Sequence, residues 1–507
     1  MSNRGALSLV VCVLAGILQA LSMANPWTGE PLWWMQLIAM GVLAWHLEHS
    51  PNWRTAAWRT WCFSAAWLSA TFWWLYISLH TYGGLPAWLA VLAVAALASA
   101  LALLYAAAMG LYVQLKLPSA SHRAVLFAAL WLLAEMARGR WLTGFGWGAA
   151  GYAHVTGPLA VFAPWVGLYG LCALSVWWSA ALIQASKRDN GQRLAVLIGG
   201  LLVALLHLWA PDFSTANGSM EVALLQGNIA QEEKFLPGSG VPKALAWYEA
   251  QLLQSTSALV VAPETAIPLL PQQLPQGYLQ GLQQHFAQGQ QAALIGIPLG
   301  DFKTGYTNSM IGLKPKEAEV WRYDKHHLVL FGEVIPPLFK WFVDLMNIPL
   351  GDFNRGDLRQ PAFEWQGQRL AANICYEDLF GEELGARFED RATAPTIFVN
   401  SSNLGWFGDS VAIDQHLNIS RMRALEFELP MIRATNTGAT AVIDHQGRVQ
   451  AQLPRLTQGV LVADVQGRSS ITPYAWWVSR LSLWPLWLLC LGLVAWAWRQ
   501  RPRTWFV

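Results

Sequence analysis

Charged residues are scarce in this chain. Lys, Arg, Asp and Glu make up 13% of its 507 residues, whereas ~25% is usual for a soluble globular protein. The net charge of +2 argues against a polyanionic partner such as nucleic acid. Hydrophobic residues make up 54% of the chain, mean hydropathy is +0.31, and there are 30 Trp. Such a chain must bury apolar surface in lipid, and its Trp content is typical of interfacial aromatic belts.

Cysteines and metal-binding patterns are also few. Four of the five cysteines lie in apolar runs, and Cys375 is the single cysteine of the polar segment. Cys375 therefore has no disulfide partner within that segment and is either an inert core residue or a reactive thiol. There is no Gly-rich phosphate loop, and His326, His327 and His416 are not at metal-ligand spacing with other His or Cys. We expect no cofactor and no metal.

The apolar residues are concentrated at the two ends of the chain. We predict three parts: transmembrane helices over 1–210, a polar domain over 211–473, and a last transmembrane helix with a tail over 474–507. A spanning helix needs ~20 apolar residues, and eight runs qualify, the second and fifth being short. They are Leu7–Met23, Leu32–His46, Trp61–Leu79, Ala87–Leu115, Ala124–Ala137, Leu159–Ala185, Leu194–Ala210 and Trp476–Trp498.

Loop charges predict the orientation of these spans. Short loops on one side carry only Arg138 and Arg140, whereas the other side carries Arg4, Arg54, Arg59, Lys116, Arg123, Lys187, Arg188, Arg193, Arg499, Arg501 and Arg503. The cation-rich side is cytoplasmic by the positive-inside rule. The polar domain follows an odd number of spans, so we expect it outside the cytoplasm, tethered to the membrane at both ends.

Within the polar domain, short apolar runs alternate with stretches of helical periodicity. The predicted strands are Val222–Gln226, Leu259–Ala262, Ala292–Ile297, Leu370–Cys375, Thr396–Val399, Met431–Ala434, Ala439–Ile443 and Val460–Ala463. The predicted helices are Lys243–Thr256, Tyr278–Gln288 and Ile413–Glu428. Several strands are apolar on both faces, which indicates an α/β fold with a covered sheet.

Three residues in this domain break their local patterns. Glu264 ends one apolar strand, Lys325 precedes a Gly-containing turn, and Cys375 lies between a strand and the next helical stretch, where backbone N–H groups favour a thiolate. Together they supply a nucleophile (Cys375), a general base (Glu264) and a cation for the thiolate and the oxyanion (Lys325). The pattern predicts nucleophilic acyl transfer.

The order Glu264, Lys325, Cys375 resembles the nitrilase (carbon–nitrogen hydrolase) superfamily, which implies an α-β-β-α sandwich. With spans on both sides, the whole chain is similar to the apolipoprotein N-acyltransferases, a family of the bacterial inner membrane. Further stretches that carry the resemblance are 226–229, 328–336, 403–409, 421–424 and 433–438. The departures are Ala230, where the family often has Pro, and Phe235, where it often has Trp.

The resemblance implies a ping-pong reaction. Cys375 takes an acyl chain from a membrane phospholipid as a thioester, and the α-amino group of a diacylglyceryl-modified lipoprotein cysteine then accepts it. The resemblance also implies supporting active-site residues (Glu333, Tyr376 and Glu377) and aromatic residues near the substrate (Phe235, Trp406 and Phe407).

Two other segments are candidates for substrate access. The run Pro336–Phe353, with Trp341 and Phe342, is too apolar for an ordinary exposed loop, and we interpret it as a lid touching the bilayer rather than core packing. The Gly- and Trp-rich loop around Trp147 either dips into the membrane interface or is a surface loop. Glu135 is either an intramembrane functional carboxylate or a helix-end residue.

Two other functions stay open from the residues alone. A membrane-tethered amidase acting on a small amide would have the same triad, and dependence on phospholipid distinguishes it from a transferase. A transporter with an extracytoplasmic sensor domain is a different class. The scarcity of charges within the spans argues against it, and Cys375 would then be dispensable.

Overall fold

The computed structural model describes residues 3–185, 198–200, 205, 212–317, 319–334, 353–469 and 471–501. The chain forms two compact units. The first, called here the helical unit, comprises Met1–Trp73, Trp88–Pro211 and Leu481–Val507. The second, called here the sandwich unit, comprises Trp74–Ala87 and Asp212–Arg480. The assignment of Trp74–Ala87 to the sandwich unit was not predicted.

The helical unit is built from long apolar helices. They are α1 (Asn3–Met23), α2 (Trp33–Glu48), α3 (Trp53–Thr71), α4 (Ala87–Leu115), α5 (Ala120–Arg140), α6 (Ala163–Ala185) and, at the other end of the chain, α12 (Trp484–Gln500). Among the described residues, four helical segments are long and apolar enough to cross a membrane: Gly5–Met23, Ala87–Leu115, Ala120–Thr143 and Pro158–Gln184. A fifth is added if the bent pair Pro473–Leu481 and Trp484–Gln500 counts as one span.

Eight spans are therefore not confirmed. The predicted seventh span, Leu194–Ala210, lies mostly outside the described residues. The predicted third span runs past the end of α3 at Thr71. The predicted eighth span is not one straight helix, because the chain turns by 84° between α11 (Pro473–Leu481) and α12. The side chains of Tyr474 and Val478 instead join a hydrophobic core of the sandwich unit.

In the helical unit, an ion pair holds the loop that follows α5. The fully buried Glu135 and Arg138 are 2.9 Å apart, and Arg138 donates to the carbonyls of Phe145 (2.6 Å) and Trp147 (2.7 Å). Glu135 also accepts from the Ala150 N–H at 3.2 Å. Since a buried charge is tolerated only when it is paired, Glu135 here is a helix-end residue that anchors a loop.

The sandwich unit contains two six-stranded sheets. The first has the order β12-β1-β2-β3-β4-β5 and the second β11-β10-β9-β8-β7-β6. Strands β1, β2 and β3 are parallel, as are β7, β8 and β9, and the outer pairings are antiparallel. The strands are β1 (Thr215–Gln226), β2 (Leu259–Val261), β3 (Ala292–Asp301), β4 (Gly305–Leu313), β5 (Trp321–Asp324), β6 (Phe363–Trp365), β7 (Gln368–Ile374), β8 (Ile397–Ser402), β9 (Met431–Thr435), β10 (Ala441–Ile443), β11 (Val449–Gln452) and β12 (Gly459–Ser469).

Apolar side chains place these sheets face to face between two layers of helices. One core joins residues of both sheets, for example Val222 and Leu294 with Ile374 and Val399. The outer face of the first sheet packs on α7 (Gly240–Gln254) and α8 (Tyr278–Gln288). The outer face of the second packs on α9 (Gly381–Gly385), α10 (Ala412–Phe427) and α11. The result is an α-β-β-α sandwich.

Candidate active site

The predicted triad residues each follow the carboxyl end of a strand. Glu264 comes three residues after β2, Lys325 directly after β5 and Cys375 directly after β7, and Asn403 follows β8. Neighbouring parallel strands end at the same edge of a sheet, and the two sheets face each other. The sequence therefore brings these side chains to one place although they are far apart along the chain.

A buried ionic cluster is the centre of this place. The Lys325 Nζ donates to Glu333 Oε1 at 2.9 Å and to Glu264 Oε1 at 3.3 Å. Asn308, on β4, donates its Nδ2 to the same two oxygens, at 2.7 Å to Glu264 and 2.8 Å to Glu333. All four residues are buried. One cation and one amide thus hold two carboxylates side by side, and Asn308 is a site residue that the sequence analysis missed.

Backbone groups fix the remaining carboxylate oxygens. Glu264 Oε2 accepts from the Asn403 N–H at 2.9 Å, and Glu333 Oε2 accepts from the Val329 N–H at 2.9 Å. The backbone N–H of Lys325 donates to the Asn308 carbonyl at 2.8 Å. Hydrogen bonds to ionised groups are the stronger ones, so both carboxylates have little rotational freedom.

The charges in this cluster set its protonation state. Burial acts to raise the pKa of Glu264, but the charge of Lys325, the Asn308 hydrogen bond and Lys234 together lower it. Burial acts to lower the pKa of Lys325, but Glu264 and Glu333 raise it. At neutral pH Glu264 is therefore ionised and able to accept a proton, and Lys325 is a cation.

Cys375 lies on a strained turn beside the cluster. Its φ is +51°, a left-handed conformation that costs a non-glycine residue free energy and that accumulates at functional sites. Burial and the Glu264 charge raise the pKa of the thiol well above its ordinary value, against the lowering effect of Lys325. The expectation that the turn favours a thiolate is wrong for the resting enzyme, because burial and nearby carboxylates outweigh the turn. The thiol needs a base.

Glu377 organises the turn rather than facing outward. Its carboxylate accepts from the N–H of Ile374 (2.6 Å), His326 (2.7 Å) and His327 (3.1 Å), and from the Tyr323 hydroxyl at 2.9 Å. Burial raises the pKa of Glu377. Glu377 ties the Cys375 turn to the strand end that carries Lys325, whereas Tyr376 is buried with its ring against Phe380.

A second buried network adjoins the Cys375 turn, and the sequence did not predict it. Asp378 is 3.2 Å from His416 Nε2 and 3.5 Å from Arg433 Nη1, and Ser420 donates to it. His416 also bonds the backbone of Cys375. His416 therefore stabilises the Cys375 turn through hydrogen bonds. Among the described residues no group of three His, Cys, Asp or Glu is placed to hold a metal.

A second lysine reaches Glu264. Lys234 is 2% exposed, and its Nζ donates to the backbone carbonyl of Glu264 at 3.0 Å. Burial lowers the pKa of Lys234 to about 7, although Glu264 and Cys375 act to raise it. Nothing in the local sequence distinguishes this lysine from an exposed one, because its partner is 30 residues away.

The predicted access residues have different placements. Trp406 and Phe407 are half-buried in the 3₁₀ turn Leu404–Phe407, whose N-cap residue is Asn403, next to Glu264. Phe235 is half-buried and directly follows Lys234. Trp147 belongs to the helical unit and is 2% exposed, so its loop is not an exposed surface loop. Trp341 and Phe342 lie outside the described residues, so their role as a lid stays a prediction.

The sandwich and the Glu–Lys–Cys constellation define a class. Residues 221–474 match the Carbon-nitrogen hydrolase family, and residues 15–181 match the Apolipoprotein N-acyltransferase N-terminal domain. The sandwich unit is thus a domain of the nitrilase (carbon–nitrogen hydrolase) superfamily. The helical region that precedes it in the chain matches a second family model, the N-terminal domain named above.

Curated relatives narrow this class. The chain is 56% identical to an apolipoprotein N-acyltransferase from Verminephrobacter eiseniae, a match that covers 97% of this chain and 96% of that one. It is 44% identical to one from Ralstonia nicotianae (92% and 88% covered) and 40% identical to one from Bordetella bronchiseptica (97% of both). The chain belongs to the apolipoprotein N-acyltransferase family.

Proposed function

We propose that this enzyme transfers an acyl chain from a membrane phospholipid, through a thioester on Cys375, to the α-amino group of a diacylglyceryl-modified cysteine of a lipoprotein. The family supports the acyltransferase activity over the amidase alternative. The observation that carries the residue assignment is the buried cluster in which Lys325 and Asn308 hold Glu264 and Glu333 beside Cys375.

In the first half-reaction the Cys375 thiol attacks the ester carbonyl while Glu264 takes the thiol proton. The thiol pKa is raised and the Glu264 pKa is lowered, so this proton transfer is uphill and must accompany the attack on the carbonyl. The oxyanion that forms is stabilised by the Lys325 ammonium. The tetrahedral intermediate expels the lysophospholipid alkoxide, which takes the proton from Glu264, and the acyl chain remains on sulfur.

The second half-reaction runs through the same groups. A neutral amine attacks the thioester, its proton passes to Glu264, and collapse of the intermediate breaks the carbon–sulfur bond. Glu264 then returns the proton to the Cys375 thiolate, which restores the resting thiol. Splitting the transfer in this way replaces one difficult aminolysis of an ester by two easier steps.

The working location follows from the same proposal. The donor is a bilayer lipid, the described residues include four helical segments apolar enough to span a membrane, or five if the bent pair of α11 and α12 counts as one span, and the loop charges predict that the sandwich unit is extracytoplasmic. We propose a multi-pass enzyme of the bacterial inner membrane with its catalytic domain on the periplasmic side, spanning about 211–473.

The test is acyl loading without an acceptor. Purified protein is mixed with micelles of phosphatidylethanolamine and phosphatidylglycerol, and intact mass is measured before and after hydroxylamine, which cleaves thioesters. Wild type should gain one acyl mass that hydroxylamine removes. Three variants should not load: Cys375→Ser lacks the thiol nucleophile, Glu264→Gln lacks the base, and Lys325→Ala lacks the cation. Loss of one electrostatic donor such as Lys325 costs ~10²–10³ in rate.

Cys490→Ser is the matched control, because it removes a buried cysteine of the helical unit and should load like wild type. An acyl mass on Cys375→Ser equal to that on wild type would show that another residue is the nucleophile. Absence of the acyl mass on wild type would contradict the proposed function.

A further inference from the structure

Residues Trp74–Ala87 connect α3 to α4 in sequence but belong to the sandwich unit. We call them the inserted segment. It contains a six-residue π-helix, Ile77–Tyr82. Helices of this type are rare, and those that are found often lie at functional sites. The mechanism above gives the inserted segment no role.

The inserted segment contacts the 3₁₀ turn that carries Trp406 and Phe407. The Ser78 hydroxyl donates to the Trp406 carbonyl at 2.7 Å. The Trp74 ring lies 4.3 Å from the Phe407 ring at an angle of 54°, and the Tyr82 ring lies 6.0 Å from the Trp406 ring, edge to face. Both aromatic residues of the turn are therefore contacted by this one segment.

Trp74 is also anchored at its polar end. The side chain is 1% exposed, and its Nε1 donates to Gln415 Oε1 on α10 at 3.0 Å. A buried indole N–H needs such a partner. Trp74 thus links the inserted segment both to α10, which packs on the second sheet, and to the turn.

The same turn begins at the residue that orients the proposed base. The Asn403 N–H donates to Glu264 Oε2 at 2.9 Å, and the Asn403 side chain accepts from Gly405 N at 3.4 Å. Asn403 Nδ2 further donates to Gln231 at 2.9 Å. Trp406 and Phe407, whose rings are half-buried, thus follow by three and four residues along the chain the Asn403 whose N–H donates to the Glu264 carboxylate.

We propose that Trp74, Ser78 and Tyr82 are positioning residues for the acyl donor. They hold Trp406 and Phe407 as an apolar wall beside Glu264, against which the acyl chain of the phospholipid binds. This inference rests on the proposed function. In a ping-pong reaction the acyl chain is bound from the lipid phase only in the first half-reaction, and in the second it is already attached to sulfur. The inserted segment therefore controls kcat/KM for the donor and not for the acceptor.

The experiment measures both kcat/KM values, with phosphatidylethanolamine micelles as donor and a diacylglyceryl-cysteine peptide as acceptor. Ser78→Ala loses one hydrogen bond, worth ~0.5–1.5 kcal/mol net, so kcat/KM for the donor should fall about two- to tenfold and kcat/KM for the acceptor should be unchanged. In a Phe407→Ala background, where the wall is already lost, the effect of Ser78→Ala should largely disappear.

Ser479→Ala is the matched control, because Ser479 also donates to a tryptophan carbonyl, that of Trp476 at 3.1 Å, on α11. It should leave both values unchanged. A fall of both values in the same proportion for Ser78→Ala, or no fall in either, would overturn the inference. Acyl loading of wild type would still stand in that case, so the failure is separate from a failure of the proposed function.

Discussion

At the scale of single residues, the site combines groups whose protonation states oppose each other. The Cys375 thiol is held protonated by burial and by Glu264, while Glu264 is held ionised mainly by Lys325. We therefore expect the resting thiol to react slowly with water-soluble electrophiles. In the proposed reaction, a carbonyl oxygen beside Lys325 takes up the negative charge as the thiol attacks.

Asn308 is the residue whose contribution is most directly testable, because its Nδ2 bonds both carboxylates. Hydrogen bonds to charged groups are worth ~1.5–3 kcal/mol, so Asn308→Ala should slow acyl loading by about tenfold to a hundredfold. Asn354→Ala is the control: Asn354 is exposed and its side-chain amide donates to the Thr304 carbonyl at 3.1 Å. Equal loading rates for Asn308→Ala and wild type would show that Lys325 and the backbone N–H groups hold the carboxylates without Asn308.

Lys234 makes stability depend on pH. Its folded pKa is about 7, below its ordinary value of 10.5. From about pH 7 to 10.5 the unfolded chain thus binds more protons, and this residue's contribution to wild-type stability rises with pH. Lys234→Met removes the cost of burying the amine, which is desolvation of the ammonium below about pH 7 and loss of its proton above it. It should raise Tm most at pH 6.5, by about 2–4 °C per kcal/mol, and progressively less toward pH 10.

The control for this measurement is Lys243→Met, since Lys243 is exposed and paired with Glu233 at 2.6 Å. It should shift Tm little at any pH. A Tm difference between Lys234→Met and wild type that stays constant from pH 6.5 to 10 would contradict titration of Lys234 as its origin.

At the scale of elements, close backbone approach explains why Glu264 stands where it does. A Cβ on Gly296, in β3, would lie 2.3 Å from the Pro263 carbonyl and 2.8 Å from Glu264 Cα. Because those atoms are backbone, Gly296→Ala must displace Glu264. We expect at least a tenfold loss of acyl loading and a destabilisation of ~1–3 kcal/mol.

Gly281→Ala is the matched substitution for comparison. Gly281 lies in α8, and its added Cβ would meet nothing within 4 Å, so this variant should be as active as wild type and slightly more stable. Loading rates would be compared with thermal unfolding for both. Full activity in Gly296→Ala would show that Glu264 tolerates displacement.

The elements also show how far the sequence predicts this molecule. Each of the eight predicted strands overlaps a strand of the structure, because each is an apolar run, but β1 begins seven residues before the predicted Val222 and β12 ends six residues after the predicted Ala463. Four of the described strands were not predicted: β4, β5, β6 and β11. In β4 the residues Thr307, Asn308 and Ser309 are polar because they bond the site and Asp324. The proposed triad follows from residue type and order, whereas Asn308, Lys234 and the Asp378 network depend on contacts that no local pattern encodes.

At the scale of the whole molecule, orientation in the membrane is the principal prediction. In a Cys375→Ser background, Lys303→Cys places a thiol on the exposed β3–β4 turn, and Arg501→Cys places one after α12. A membrane-impermeant maleimide on cells with a permeabilised outer membrane should label the first and not the second. Labelling of Arg501→Cys alone would invert the predicted topology.

The inserted segment also sets the order in which the enzyme can be completed during synthesis. Trp74 and Gln415 are 341 residues apart in the chain, and Ser78 and Trp406 are 328 residues apart. At ~5–20 residues per second the ribosome needs about 17–70 s to make the later partners after the earlier ones. Throughout that interval the inserted segment lacks the surface it packs on in the finished protein. A nascent chain truncated before residue 406 therefore has helices of the membrane region but an unfinished catalytic wall, and the enzyme matures only near the end of translation.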